Sequence, residues 1–521
     1  LFAAPAGALD QWRGIRGSRN AMTRTSRTLR CVAIASVFGV ISGCAVGPDF
    51  VRPEKPAVDR FTAGALPAQT ASADTQGGVA QRLIAGRDLP QEWWKLFHSP
   101  ALNALIAHAL TNSPDLQSAE AALRVAQENV RAQQGAYFPT LGGNFSAARY
   151  HDASEVSPTL ATFVPYFNLY TAQVSADWAP DIWGANRRAV EMLKANAEAQ
   201  KFQLEAAVLT LTCALAGAAI QEASLRAQEG AAQQIVADEE QSLAILKRQL
   251  ALGQVSGADE AAQEESSAQA EQNLVVLQKQ LAQQRDLITV LAGQLPANQI
   301  PQTFELDSLE LPRDLPVSVP SNLVDRRPDV RMAEADLHAA SAQIGVATAA
   351  MLPNITLSAN GGTTATQLAG LFVPGNNFWT LSGTVSQQIF DGGTLLHKLR
   401  GARAAYEQAQ GQYRSTVLAS FQNVADALEA IKSDADFLKA AAAANDAAVR
   451  SLERLRLRHK LGEDGLLTTL QADVAAEQAA SALAQARASR FADTVALFQA
   501  LGGGWRSADD ILASVQNGGP Q

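Results

Sequence analysis

Leu169 to Trp178 reads LYTAQVSADW, and its alternation decides what kind of fold the chain can adopt. Tyr170, Ala172, Val174, Ala176 and Trp178 fall on one side of an extended chain, and Thr171, Gln173, Ser175 and Asp177 on the other. Successive strand side chains point to opposite faces, so this stretch is a strand with one apolar and one polar face. NITLSANG from Asn354 repeats the pattern, with Ile355, Leu357 and Ala359 opposing Asn354, Thr356, Ser358 and Asn360. FWTLSGTVSQQI from Phe378 sets Trp379, Leu381, Val385 and Ile389 against Thr380, Ser382, Thr384, Ser386 and Gln388. TLGGNFSAARY from Thr140 is a weaker instance, alternating at Leu141, Phe145 and Ala147.

A soluble sheet packed on helices would alternate in the same way. Here three of the four stretches begin or end on aromatics, and the polar faces are Ser, Thr, Gln and Asn with little else. That is the pattern of a membrane β-barrel, with lipid outside and water inside. Four strands cannot close a barrel, and open edges are not tolerated in hydrocarbon. At least two chains, more naturally three, must therefore contribute strands.

Working outward from the strands exposes an internal duplication. SPDLQSAEAALRVAQENVRAQQGAYFPTLGGNFSA from Ser113 matches RPDVRMAEADLHAASAQIGVATAAMLPNITLSANG from Arg327. Pro114-Asp115 aligns with Pro328-Asp329 and Pro139 with Pro353 at a constant offset of 214. Leu252-Gly253 pairs with Leu461-Gly462, and the Val-Leu-Ala-Gly ending at Gly293 with the Ala-Leu-Gly-Gly ending at Gly503. In each copy a proline at the first helical position opens a helix, over 114–137 and 328–351, which proline then stops. Two strands follow, then a very long helix, a Leu-Gly break and a second long helix. From Ala185 to about Ala251 there is no proline, and a helix of that length would run roughly 100 Å. Leu193, Ala197, Gln200, Leu204, Val208, Leu211 and Leu215 form a coiled-coil-like seam on it. Its second-copy counterpart, from about Gly393 to Lys460, aligns Phe421, Ala425, Leu428 and Ile431 on one face.

Before the repeats comes an address. Arg24, Arg27 and Arg30 precede the apolar run Cys31–Ile41, which is too short for a bilayer span of about 20 residues. Met22 reads as the true start, with residues 1–21 an upstream extension. Ile41-Ser42-Gly43-Cys44 looks like a bacterial lipobox, which makes Cys44 the lipid attachment site; an ordinary signal peptide with an incidental cysteine is the alternative. With Cys31 and Cys213, the chain has three cysteines, too few for a disulfide framework. Cys213 reads as a small buried hydrophobe.

The total charge of −9 includes +5 on residues 1–43, leaving −14 on the remainder. So acidic a chain, with no basic stripe among aromatics, is no nucleic-acid binder. The six histidines show no metal-ligand spacing, Gly502-Gly503-Gly504 lacks the lysine of a phosphate loop, and no nucleophile sits in a catalytic motif. We expect no enzyme and no cofactor beyond covalent lipid on Cys44.

CAVGPDFVRP after the lipobox, Trp93-Trp94 with Leu96-Phe97, RRPDV at Arg326–Val330, FDGG at Phe390–Gly393 and ALGGGW at Ala500–Trp505 together resemble one family. It is the TolC-like outer-membrane factors of tripartite efflux pumps, in the lipoprotein branch called NodT-type. The resemblance implies a mainly α fold with membrane β. In a homotrimer, four strands per chain make a twelve-stranded barrel, continuous with a long periplasmic α-helical barrel. Domains then follow as a signal peptide with extension (1–43), a lipid-anchored segment (44–100), a first repeat (101–300, strands about 140–180), a linker (301–319), a second repeat (320–505, strands about 354–390) and a tail (506–521). Trp183-Gly184 and Gly392-Gly393 look like the strand-to-helix junctions, and Gly253 and Gly462 like the periplasmic turns. There the family meets a periplasmic adaptor, which links it to an inner-membrane transporter, here expected to be RND-type.

In relatives, acidic rings and tyrosine-centred bonds constrict the tunnel near the second turn. This chain has Gln471 and Asp473 in Leu470-Gln471-Ala472-Asp473 where relatives often read Leu-Asp-Ala-Gln. Thr468 stands at a position that can be acidic and His459 at one where tyrosine is common, while Asp259 matches. The expectation is an aperture of weaker cation selectivity that responds to pH through His459. A constriction built on Asp473 is the alternative. For the whole chain, the competing reading is a periplasmic coiled-coil lipoprotein, an adaptor or tether without a barrel.

Overall fold

Helix caps and strand parity place the elements. The structure is a computed structural model that describes residues 45–64, 67–151, 166–317 and 319–504. The leader, Cys44, Trp505 and the tail lie outside the described residues. Strand β1 is Arg82–Ala85, followed by a short 3-10 helix at Trp93–Phe97. Helices α1 (Pro100–Asn112) and α2 (Pro114–Gln134) lead to strands β2 (Thr140–His151) and β3 (Tyr166–Trp178). Then come α3 (Ala185–Ala251), α4 (Gly257–Leu291), β4 (Asp314–Val317) and α5 (Pro320–Arg326). The second copy supplies α6 (Pro328–Ala349), β5 (Asn354–Ala365), β6 (Asn377–Ser386), α7 (Thr394–Lys460) and α8 (Leu466–Ala500). The expected opening helices are there, the first closing in a 3-10 turn at Gly135–Tyr137.

The chain divides into two compact units, each drawing on both repeats. One comprises the described residues up to Phe50 together with Val130–Met192 and Ala340–Ala405. It holds a four-stranded antiparallel sheet in the order β2-β3-β5-β6. The register aligns the alternations of all four strands. Leu141, Ala176, Ala359 and Leu381 lie abreast, and so do Thr140, Asp177, Ser358 and Ser382 one residue along. The apolar face is uncovered: Leu141 is 76% exposed, Leu381 74% and Trp379 79%. β6 ends at Ser386, short of the alternation that continues to Ile389. Ser386 pairs with Asn354, the first residue of β5, and the preceding Pro353 has no N–H with which to extend the ladder.

The other unit comprises Val51–Asn129, Leu193–Ala339 and the chain from Tyr406 onward. Its core gathers Trp93 and Phe97 with Leu215 and Ile220 of α3, Val424 and Leu428 of α7, and Phe491 and Phe498 of α8. The Trp93 and Phe498 rings lie 5.5 Å apart and those of Phe97 and Phe491 6.1 Å. β1 and β4 pair in parallel beside it, with Arg82 opposite Asp314. Helix α3 is long and apolar enough to cross a membrane by length and composition, but more than half of its apolar window is buried in the protein. The expected seam explains why: Leu204, Val208 and Leu215 are buried, and Phe421, Ala425, Leu428 and Ile431 turn inward on α7. Cys213 is buried too, and burial pushes its thiol up to about 12, so it packs as a hydrophobe.

Candidate functional site

In the first unit the expected strand-to-helix junctions are built on capping aspartates. Asp181 accepts the N–H groups of Asn186 (2.9 Å) and Arg187 (2.8 Å) at the start of α3. Asp391 accepts those of Gly393 (2.8 Å) and Leu395 (2.7 Å) at the start of α7. Each satisfies orphan donors at the start of the long helix that follows a strand after a short connection. Trp183 donates Nε1–H to the Pro353 carbonyl at 2.8 Å, joining the junction of the first repeat to the start of β5. Gly184 is left-handed, and a Cβ there would stand 2.6 Å from the Ala45 Cα. Gly392 and Gly393 are left-handed as well.

The segment after Cys44 is seated at the first of these junctions. Val46 N–H donates to the Trp183 carbonyl at 3.0 Å. A Cβ on Gly47 would lie 2.4 Å from the Gly345 Cα, so two backbones meet where neither residue has a side chain. The buried Arg188 donates to the Val46 and Gly47 carbonyls and pairs with Asp49 and Glu191, both at 2.7 Å. Desolvation lowers the affinity of this guanidinium for its proton, but the two carboxylates outweigh it and leave the pKa raised.

In the second unit the two Leu-Gly breaks close as the same motif. The Gly253 N–H donates to the Leu250 carbonyl and Gln254 N–H to Gln249; Gly462 and Glu463 donate to His459 and Arg458 in the same way. Both glycines are left-handed, at φ +69° and +78°, which this Schellman closure requires. The far ends of the hairpins repeat it, Gly293 and Gln294 corresponding to Gly502 and Gly503. Gly293 is thus equivalent to Gly502, at the offset of 209 that also relates Gly253 to Gly462. Aligning the Ala-Gly and Gly-Gly endings alone put the match one residue late.

After the turns the copies diverge. Asp259 forms a capping box with Ser256, accepting from its N–H (2.9 Å) and hydroxyl (2.7 Å), while Ser256 Oγ accepts from Asp259 N–H. The Ser256 hydroxyl and backbone N–H hold the Asp259 carboxyl below its usual range. The second turn has Gly465 at the cap with no side-chain bond. It is closed instead by His459 Nδ1, 2.9 Å from the Asp464 carbonyl, and by Arg458, 3.0 Å from the Asp464 carboxylate. Thr468 and Gln471 are both exposed. Asp473 takes Arg456 at 2.7 Å, bracing α7 to α8, and Lys247–Glu264 (2.9 Å) braces α3 to α4 at the equivalent positions. Asp238 of α3 and Glu477 of α8 lie close to Asp473; burial first, and then that carboxylate, push both acids up.

The model of the family described as outer membrane efflux protein matches residues 105–294 and 319–503, one segment per repeat. The chain belongs to this family. It is 29% identical over 482 residues to the toluene efflux pump outer membrane protein TtgC of Pseudomonas putida, covering 92% of this chain and 96% of TtgC. It is 29% identical over 458 residues to the pyoverdine export outer membrane protein OpmQ of Pseudomonas aeruginosa, covering 86% and 96%. Among solved structures, the outer-membrane channel OprN superposes with a TM-score of 0.76 at 26% identity, covering 89% of this chain and all of OprN. VceC from Vibrio cholerae superposes at 0.72 with 26% identity, covering 80% and 100%.

Within this outer membrane efflux protein, reasoning from the sequence picked out the junction glycines and missed the aspartates beside them. Asp181 and Asp391, each just before a glycine and a long helix, carried a helix-start signature that could have been used. It also missed the Lys247–Glu264 and Arg456–Asp473 braces, whose signal was the offset of 209 applied to charged residues. The polar face of the sheet carries more aromatics than expected: Phe378 shares it, and Tyr150 and Phe167 stack on it at 5.3 Å.

Proposed function

We propose that this outer-membrane protein works as a homotrimeric exit duct of a tripartite efflux system, conducting small organic compounds passively from an adaptor and an inner-membrane transporter. The observation that carries the reading is the four-stranded sheet. Its order leaves β2 and β6 as open edges, its outer face is bare and mainly apolar, with Arg149, His151 and Asn168 gathered at one end, and its other face is almost uncharged. Exposed edges cannot persist in hydrocarbon, and pairing β6 of one copy with β2 of the next removes them. A twelve-residue strand is about 40 Å long, so at the usual tilt it covers an apolar band of roughly 25 Å.

The junctions turn each strand pair into a long helix, and the hairpin ends are the faces offered to the adaptor. Export of toluene and pyoverdine by the systems of TtgC and OpmQ supports small organic molecules as cargo. An RND-type transporter as the energy source is part of the same proposal, as is acylation of Cys44. Val46 and Gly47 are held against Trp183 and Gly345, so a lipid on Cys44 would enter the membrane beside the first junction. The domain limits are those given above, with 44–100 as the anchored segment.

Isolated outer membranes test the duct. Trimers that resist unheated detergent and open water-filled conductances in planar bilayers are expected. A monomer extractable without detergent, with no conductance, would overturn the proposal.

A further inference from the structure

We propose that the end of the second helical hairpin is a docking face for an acidic surface of the partner protein, and that the first hairpin end is not equivalent to it. This rests on the reading that the hairpin ends meet the adaptor, and it specifies the chemistry of that contact.

The duplication supplies the comparison. Residues 238–265 and 447–474 are the same stretch in the two repeats, offset by 209. The first has seven acids against two bases, and the second five bases against four acids, so they carry −5 and +1 with His459 neutral. The excess lies on the last turns of α7. Arg450, Arg454 and Arg458 follow one another at four-residue steps, on one face of the helix, with Lys460 beside them. Their equivalents on α3 are Gln241, Ile245, Gln249 and Ala251, all neutral.

Arg458 is taken by Glu463 and Asp464, and Arg456 by Asp473. Arg450, Arg454 and Lys460 are exposed, and the described residues give them no ion pair. Leu457 and Leu461 stand among them, 58% and 66% exposed, so the surface is basic around an apolar centre. On the first hairpin Arg248 occupies the place of Leu457, and the same stretch carries Glu240, Glu260 and Glu265, whose second-copy equivalents Val449, Thr469 and Val474 are neutral. A partner surface with carboxylates around an apolar residue complements the second end and is repelled by the first.

The purified full-length protein is tested with a stapled helical-hairpin peptide carrying three glutamates and a leucine at its turn, and with its lysine counterpart. At about 20 mM salt, where screening is weak, the glutamate peptide should bind at least about tenfold tighter than the lysine one. Arg450→Glu/Arg454→Glu/Lys460→Glu should abolish that preference, and the difference should shrink as salt rises. Gln241→Arg/Ala251→Lys, which moves bases to the first hairpin, should add binding sites for the glutamate peptide. Equal binding of both peptides, or undiminished binding to the triple variant, would overturn the proposal. So would a lower yield of trimer in the triple variant with the preference for the glutamate peptide intact on the trimer that remains, since the bases would then face a neighbouring copy. If neither peptide binds an intact trimer, the hairpin ends are not the docking face, and the parent reading fails with it.

Discussion

Arg490 is fully buried on α8, and its guanidinium donates to Thr70 Oγ1 (2.9 Å), the Val79 carbonyl (2.8 Å) and the Gly77 carbonyl (3.2 Å). Those bonds fasten the segment ahead of β1 to the helical core. Arg490→Met keeps the volume but orphans buried acceptors, and should cost about 3 kcal/mol or more. Proteolysis within residues 67–81 should accelerate in the variant. Nearby, burial and then the Asp493 carboxylate push the Asp434 carboxyl up to about 7. A carboxyl whose pKa is raised on folding holds its proton where the unfolded chain has lost it. Stability is therefore full below pH 3.8, the ordinary value, and is lost as pH rises towards about 7. Asp434→Asn should match the parent protein in thermal unfolding at about pH 4 and exceed it at about pH 8. Neither residue was legible in the sequence. Arginines and aspartates on long helices ordinarily face water, and only packing against residues far along the chain buried these.

Helix ends decide the matter at the scale of elements. Asp259 was expected at the aperture because relatives carry acid there, and the structure shows its carboxylate committed to Ser256. Asp259→Ala should cost about 0.5–2 kcal/mol of hairpin stability, the usual loss for a cap. Hydrogen exchange at the start of α4 should report it, while single-channel conductance stays unchanged. The Arg456–Asp473 brace is partly exposed, and a double-mutant cycle should return no more than about 1 kcal/mol. Strand alternation, proline starts and Leu-Gly stops all act over a few residues, so they could be read directly. The braces, which join positions 17 residues apart across a turn, could not.

For the whole molecule, parity across four strands makes the duct. Leu381→Arg puts a charge on the lipid face and should cost about 2–4 kcal/mol near mid-membrane, with loss of heat-resistant trimers. Ser382→Lys, one residue along on the other face, should leave the trimer intact and shift ion selectivity in planar bilayers. Period-two and period-3.6 patterning and the duplication were enough to read the fold class and the membrane it needs, because burial against lipid or core repeats along a single element. Which rows of side chains lie abreast, which acids are caps or braces, and which bases remain unpaired on α7 follow from contacts between distant segments. No local pattern encodes those contacts, since they arise only when two faces meet and each charge finds or lacks a partner.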